Sequence, residues 1–87
     1  MEYYVYIIQS TKNGHLYIGL SKNPELRLKS HNYGQTKSTK PHIPYRLIAI
    51  EKAGTLQQAR NREKWLKSGI GREWIKNNFI TAPSSSG

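Results

Sequence analysis

Few residues in this chain have types suited to acid–base or ion-assisted chemistry, and their spacings bring them into small groups. In Tyr3-Tyr4-Val5-Tyr6-Ile7-Ile8, alternation puts Tyr4, Tyr6 and Ile8 on one strand face and Tyr3, Val5 and Ile7 on the other. Tyr17, in Leu16-Tyr17-Ile18-Gly19, is expected to return beside the Tyr4/Tyr6 end. A glycine follows close behind it, where a side chain would block close approach. Arg27 and His31 are four apart and therefore project from one face of a helix. Glu63 falls on an otherwise apolar helical stripe of Leu56, Ala59 and Leu66, extended to Ile70. A carboxylate turned toward a core is costly unless it is paired or ion-bound.

Each group also has a bland reading. Glu63 could salt-bridge an arginine on the sheet or first helix, or sit at a wet border. The phenols could be half-buried strand residues with solvated hydroxyls. Arg27 and His31 could be ordinary surface residues. His15 and His42 match no constellation and are read as exposed, and Trp65 and Trp74 are read as core.

Charge narrows the choice. Lys and Arg total 14 against 5 acids in 87 residues, a net charge of +9, and the sequence pI is near 10.1. That balance favours a polyanion, nucleic acid before a membrane surface, because phosphate neutralisation releases counterions. The acids are Glu2, Glu25, Glu51, Glu63 and Glu73, with no Asp. Two-metal phosphodiester chemistry needs carboxylates converging on ions about 3.5–4 Å apart, which five scattered glutamates do not supply. A divalent ion would have to be held by one carboxylate and water, as Mg²⁺ tolerates. The absence of Cys excludes disulfides, thiolate metal sites and cysteine nucleophiles, and fits a reducing cytoplasm. No apolar run has membrane-span length, and the start lacks the form of a signal peptide.

The elements that must position these residues follow from local pattern. Two strand-forming runs flank Asn13-Gly14, a pair that tolerates the positive φ of a tight hairpin turn. Asn23 (or Ser21), Pro24 and Glu25 open a short helix expected to end before Gly34. Tyr33 to Pro44 reads as an acid-free loop able to lie along a phosphate backbone, donating from Thr36, Lys37, Ser38, Thr39 and Lys40. Tyr45 to Ile50 reads as a third strand, central or covered by helices. Thr55 and Gln58 match a capping box for a helix to about Lys67, stopped at Ser68-Gly69. A last helix is expected from about Gly71 to Phe79, then a flexible tail over 81–87. The fold class is therefore α+β: one domain over 1–80, a small three-stranded antiparallel sheet flanked by helices, in the order ββαβαα.

Taken together, this order resembles the GIY-YIG nuclease family, specifically its small single-domain members, similar to the nuclease domain of the bacterial excision-repair incision subunit. Tyr4-Val5-Tyr6 stands at the first motif, with Tyr4 where that motif has Gly, and Tyr17-Ile18-Gly19 matches the second. Arg27 and His31 match the helix motif, and Ala59 to Lys67 resembles the glutamate helix. Leu20 follows the second motif where some relatives place a lysine or small polar residue. The resemblance implies DNA phosphodiester hydrolysis, structure-selective and in repair or processing, with one Mg²⁺ or Mn²⁺ on Glu63.

The implied catalytic set is Tyr6, Tyr17, Arg27, His31 and Glu63. Glu63 would hold the metal, and Arg27 would grip a phosphate oxygen with its planar fork. Tyr6 or Tyr17 would position or deprotonate water. A free phenol titrates near about 10, so the metal and Arg27 would have to lower it. His31 would relay the proton or orient a tyrosine. Lys22, Lys37, Thr39, Lys40, Arg60, Lys64 and Lys67 are the expected DNA contacts. The partner is DNA, with RNA left open, and the enzyme a monomer or weak dimer. The competing reading is a non-catalytic basic nucleic-acid-binding module; a weaker one is a domain docking an acidic protein.

Overall fold

The computed structural model describes residues 2–80, so the expected tail over 81–87 lies outside the described residues. Strands β1 (Tyr3–Ser10) and β2 (Leu16–Ser21) form an antiparallel hairpin, and β3 (Tyr45–Gly54) pairs with the other edge of β1. The sheet order is β2-β1-β3. Helices α1 (Pro24–Asn32), α2 (Leu56–Lys67) and α3 (Gly69–Ile75) complete the expected ββαβαα order. The α+β class and the antiparallel sheet are as read from the sequence.

The hairpin is wider than a two-residue turn. Residues 11–15 connect the strands, Ser10 N–H donates to the His15 carbonyl at 2.8 Å, and only Gly14 takes a positive φ, +81°. The Ser10 hydroxyl organises the loop, accepting the Lys12 and Asn13 amides at 3.0 and 3.1 Å. The longer loop sets the register. Tyr17 stands opposite Ile8 and Gly19 opposite Tyr6, so of the expected Tyr4/Tyr6 end Tyr17 meets Tyr6, diagonally, and not Tyr4.

β3 departs from expectation in its length. It runs through Glu51 and Lys52 to Gly54, because its polar end still finds ladder partners at Tyr3 to Val5. It is an edge strand with its apolar faces covered by helices, the second of the two alternatives expected.

Alternation along β1 builds two cores. Val5 and Ile7, with Ile18, pack against Ala59 and Leu66 of α2 and Ile75 of α3. Tyr6 and Ile8 pack with Tyr45 on the other face, beside Leu28 of α1. Both cores consist of fully or almost fully buried side chains, each such apolar residue adding roughly 1.5–3 kcal/mol. The capping box forms as read: Gln58 N–H donates to Thr55 Oγ1 at 3.1 Å, and Thr55 N–H to Gln58 Oε1 at 2.9 Å. Ser68 ends α2 and caps α3 through Gly71 N–H at 3.2 Å. The last helix thus starts earlier than expected, at Gly69, and widens into a π turn over Lys76–Ile80. No helix among the described residues is long and apolar enough to cross a membrane.

Candidate active site

Tyr6 is buried in the centre of the sheet, and its phenol lies 3.0 Å from His31 Nε2. His31 is itself fully buried, not a surface helix residue. Its other ring nitrogen, Nδ1, lies 2.9 Å from Thr39 Oγ1, and the Thr39 hydroxyl donates to the Thr36 carbonyl at 3.2 Å. A hydroxyl has one hydrogen, so Thr39 Oγ1 accepts from an Nδ1–H. Neutral His31 then presents a bare Nε2 to the Tyr6 O–H, and the phenol donates. Burial, then the Arg27 charge, holds His31 below its ordinary pKa, which keeps it neutral. The result is a directed pathway from phenol to imidazole, oriented by Thr39.

Thr39 is therefore corrected as an expected DNA contact. It is fully buried, and its hydroxyl serves His31 and the loop carbonyl instead of a phosphate.

Tyr6 does not ionise easily. Burial dominates and raises its pKa; Arg27 pulls it down by hydrogen bonding and charge, while Tyr17 and Glu63 push it up. The expectation that Arg27 would lower the phenol holds for that pair alone and is outweighed by desolvation. Tyr17 is half-buried, its ring 6.2 Å from Tyr6 and 4.7 Å from His31. Gly19 makes this crowding possible. A Cβ there would stand 2.6 Å from the Tyr6 phenol oxygen and 3.0 Å from the Tyr17 ring.

Glu63 lies one turn from both Ala59 and Leu66, at the border of the packed face of α2. Its side chain is 23 % exposed, and its negative charge reaches Tyr6. The buried stripe is narrower than expected, since Leu56 and Ile70 are both exposed. Nor does Glu63 pair with an arginine. Arg62 takes Glu51 on β3 at 2.8 and 3.1 Å, and lies over Trp65 and Trp74. Glu63 pairs with Lys67 one turn on, at 3.1 Å.

No group of three or more His, Asp or Glu suited to a metal occurs among the described residues. The donor set nonetheless fits a hard divalent ion that keeps most of its water, since such an ion needs one or two carboxylates. A cation, the Lys67 ammonium, already sits on the Glu63 oxygen.

Residues 2–76 match the family model described as the GIY-YIG catalytic domain. The chain belongs to the GIY-YIG family. Relatives are similar over most of the chain. A UPF0213 protein of Staphylococcus saprophyticus is 38 % identical over 76 residues, covering 86 % of this chain and 92 % of the relative. The UPF0213 protein YsiG of Lactococcus lactis is 33 % identical over 84 residues, covering 91 % and 80 %. A UPF0213 protein of Clostridium perfringens is 37 % identical over 65 residues, covering 74 % and 69 %. The GIY-YIG domain is a nuclease fold, its substrate class is nucleic acid, and its nucleases generally use divalent metal ions.

Within this GIY-YIG domain, the other expected nucleic-acid contacts are dispersed. Lys37, Lys40, Arg60 and Lys64 are exposed, Lys22 stands 5.2 Å over the Tyr3 ring, and Lys67 is engaged by Glu63. Trp65 is partly exposed and edge-on to Trp74 at 6.1 Å, a rim arrangement more than a core one. Sequence reasoning missed one further cluster. His15 and His42 stack at 4.0 Å with planes 3° apart; His15 Nδ1 lies 2.9 Å from the Tyr45 hydroxyl, and Asn13 donates to His42 Nδ1 at 2.9 Å. The contacting pairs are up to 30 positions apart, so no local signal announced them.

Proposed function

We propose that this chain is a metal-dependent endonuclease that hydrolyses DNA phosphodiester bonds, acting on particular DNA structures in repair or processing. The observation that carries the reading is the Tyr6–His31–Thr39 chain, set beside Arg27 and within the field of Glu63. A purely structural tyrosine needs one hydrogen-bond partner. It does not need a neutral histidine oriented by a second buried hydroxyl.

In this reading the Arg27 guanidinium holds a non-bridging phosphate oxygen and offsets charge that grows as water adds. Tyr6 accepts a hydrogen bond from the attacking water while its own proton passes toward His31 Nε2. An uphill free phenolate is never required, which suits the raised Tyr6 pKa. Tyr17, with its ring against His31, offers its hydroxyl to the water or phosphate from the neighbouring strand. Glu63 would hold Mg²⁺ or Mn²⁺, and the ion supplies Lewis-acid stabilisation of the leaving oxygen. Lys67 would then be free of Glu63 and available to the DNA backbone.

The test is incubation of purified protein with branched, nicked and plain duplex DNA, with and without Mg²⁺ or Mn²⁺. Metal-dependent cleavage that disappears in Glu63→Ala supports the reading. Strong, salt-sensitive binding with no cleavage of any substrate would favour a non-catalytic binding module instead.

A further inference from the structure

We infer that the outward side of α1 carries a stacking subsite for an unpaired nucleobase, with Tyr33 as its platform; this rests on the nuclease reading and narrows its substrate class. Tyr33 ends α1. Its N–H donates to the Lys29 carbonyl at 3.0 Å and the Gly34 N–H to the His31 carbonyl at 2.9 Å, with Gly34 at φ +79°. That left-handed residue fixes the helix end. The backbone is held, yet Tyr33 is 82 % exposed and its side chain takes part in no hydrogen bond or ring contact among the described residues.

Beside it lies a cleft of about 310 Å³ lined by Lys29, Asn32 and Tyr33. Small-molecule sites begin at roughly 300 Å³. One wall is rigid, because the Asn32 amide clasps both backbone groups of Tyr45, at 2.7 and 3.0 Å. Helical spacing sets Leu26, 59 % exposed, and Lys29 on the same side as Tyr33, roughly opposite Arg27 and His31.

These features suit one occupant. A flat phenol ring offers a π face, Lys29 offers countercharge to a phosphate, and the cleft between them is open. A base inside a duplex has both faces covered by its neighbours. An unpaired nucleotide, unlike a base inside a duplex, has one to give. The helix is about 10–12 Å wide, so a strand held at Arg27 reaches Tyr33 within a few nucleotides. The preferred substrate thus carries a single-stranded segment near the scissile bond, as a flap, bulge or branch does.

The experiment measures binding of the full chain, in EDTA to prevent cutting, to oligonucleotides containing 2-aminopurine. Single-stranded DNA and RNA, a flapped duplex and a plain duplex serve as separate arms. Wild-type protein is expected to quench the probe in the single-stranded segments. Tyr33→Ala should weaken their binding about five- to a hundredfold, the range for stacking one base, and abolish quenching. Tyr33→Phe and Tyr33→Trp should keep both, and plain-duplex affinity should stay within about twofold in all variants. Unchanged affinity and quenching in Tyr33→Ala would overturn the subsite and leave the ring to a protein partner. Cleavage assays with Mg²⁺ or Mn²⁺ separate the two claims. Tyr33-dependent quenching without cleavage sinks the nuclease reading alone, and cleavage with Tyr33-independent binding sinks the subsite alone.

Discussion

The Tyr6 phenol and His31 Nε2, 25 residues apart in the chain, meet at 3.0 Å where both side chains are buried. Tyr6→Phe leaves Nε2 without its donor, and an unsatisfied buried polar group costs about 1–3 kcal/mol. In the proposed mechanism the same change also removes a proton pathway, with an expected loss of rate on the order of 10²–10⁴-fold. Urea denaturation and single-turnover cleavage measure the two effects separately. A folded Tyr6→Phe protein that cuts at the wild-type rate would remove the phenol from the mechanism.

Thr39→Val is the corresponding test of orientation. It deletes the acceptor for His31 Nδ1–H while nearly preserving shape. The ring is then free to present the wrong nitrogen to Tyr6. A cleavage rate lowered by roughly tenfold or more is expected, less than for loss of His31 itself. Thr39→Ser, which restores the hydroxyl, should recover most of it.

Acid should weaken both the fold and the reaction. Burial first, then neighbouring positive charge, lowers the pKa of His31 and of His15. In the unfolded chain these rings take protons near about 6.5, while the folded ones stay neutral. Below that pH the unfolded state binds more protons, so stability falls on acidification until the lowered folded values are passed. Above it the two histidines add no slope. Thermal melts from pH 8 to pH 5 should show this decline, and His31→Asn should flatten it. Cleavage should fail only at the acid end of this decline, below the lowered folded value, where His31 takes a proton and can no longer accept.

Gly19 faces the most crowded part of the site. A Cβ at 2.6 Å from the Tyr6 oxygen forces the phenol away from His31. Overpacking of this kind costs about 1–3 kcal/mol. Gly19→Ala should therefore lower both the melting temperature and the cleavage rate. A rate that survives intact would mean that the site tolerates a displaced phenol.

In the proposed mechanism the Glu63–Lys67 pair would compete with a metal for one carboxylate. Partly exposed helix pairs of this spacing are worth only about 0.3–0.5 kcal/mol, and the added cation is also repelled by Lys67. Lys67→Gln is expected to tighten Mn²⁺ binding to the free protein by about two- to fivefold at low salt, read by calorimetry. Equal affinity in the variant would show that the ion does not use Glu63.

Much of this architecture was legible because local chemistry and tertiary structure agree. The aromatic alternation of Tyr3 to Ile8 marked a strand, and Thr55 with Gln58 fixed the start of α2. What was not legible depends on distance in the chain. The five-residue loop placed Tyr17 opposite Ile8, which a two-residue reading of Asn13-Gly14 does not give. Thr39 looked like a loop hydroxyl because its partner His31 is met only after the chain turns back. The raised pKa of Tyr6 was hidden for a different reason: burial outweighs Arg27, and burial is a property of the folded core. Glu51 to Gly54 lay beyond the expected third strand because Glu51 and Lys52 carry no strand signal of their own.

The most direct measurement is a double-mutant cycle on single-turnover DNA cleavage with Mn²⁺, comparing wild type, Tyr6→Phe, His31→Gln and the double variant. If the phenol and the imidazole pass one proton as a unit, the double variant is no slower than the worse single one. Losses that multiply, or a single variant at full rate, would contradict the relay.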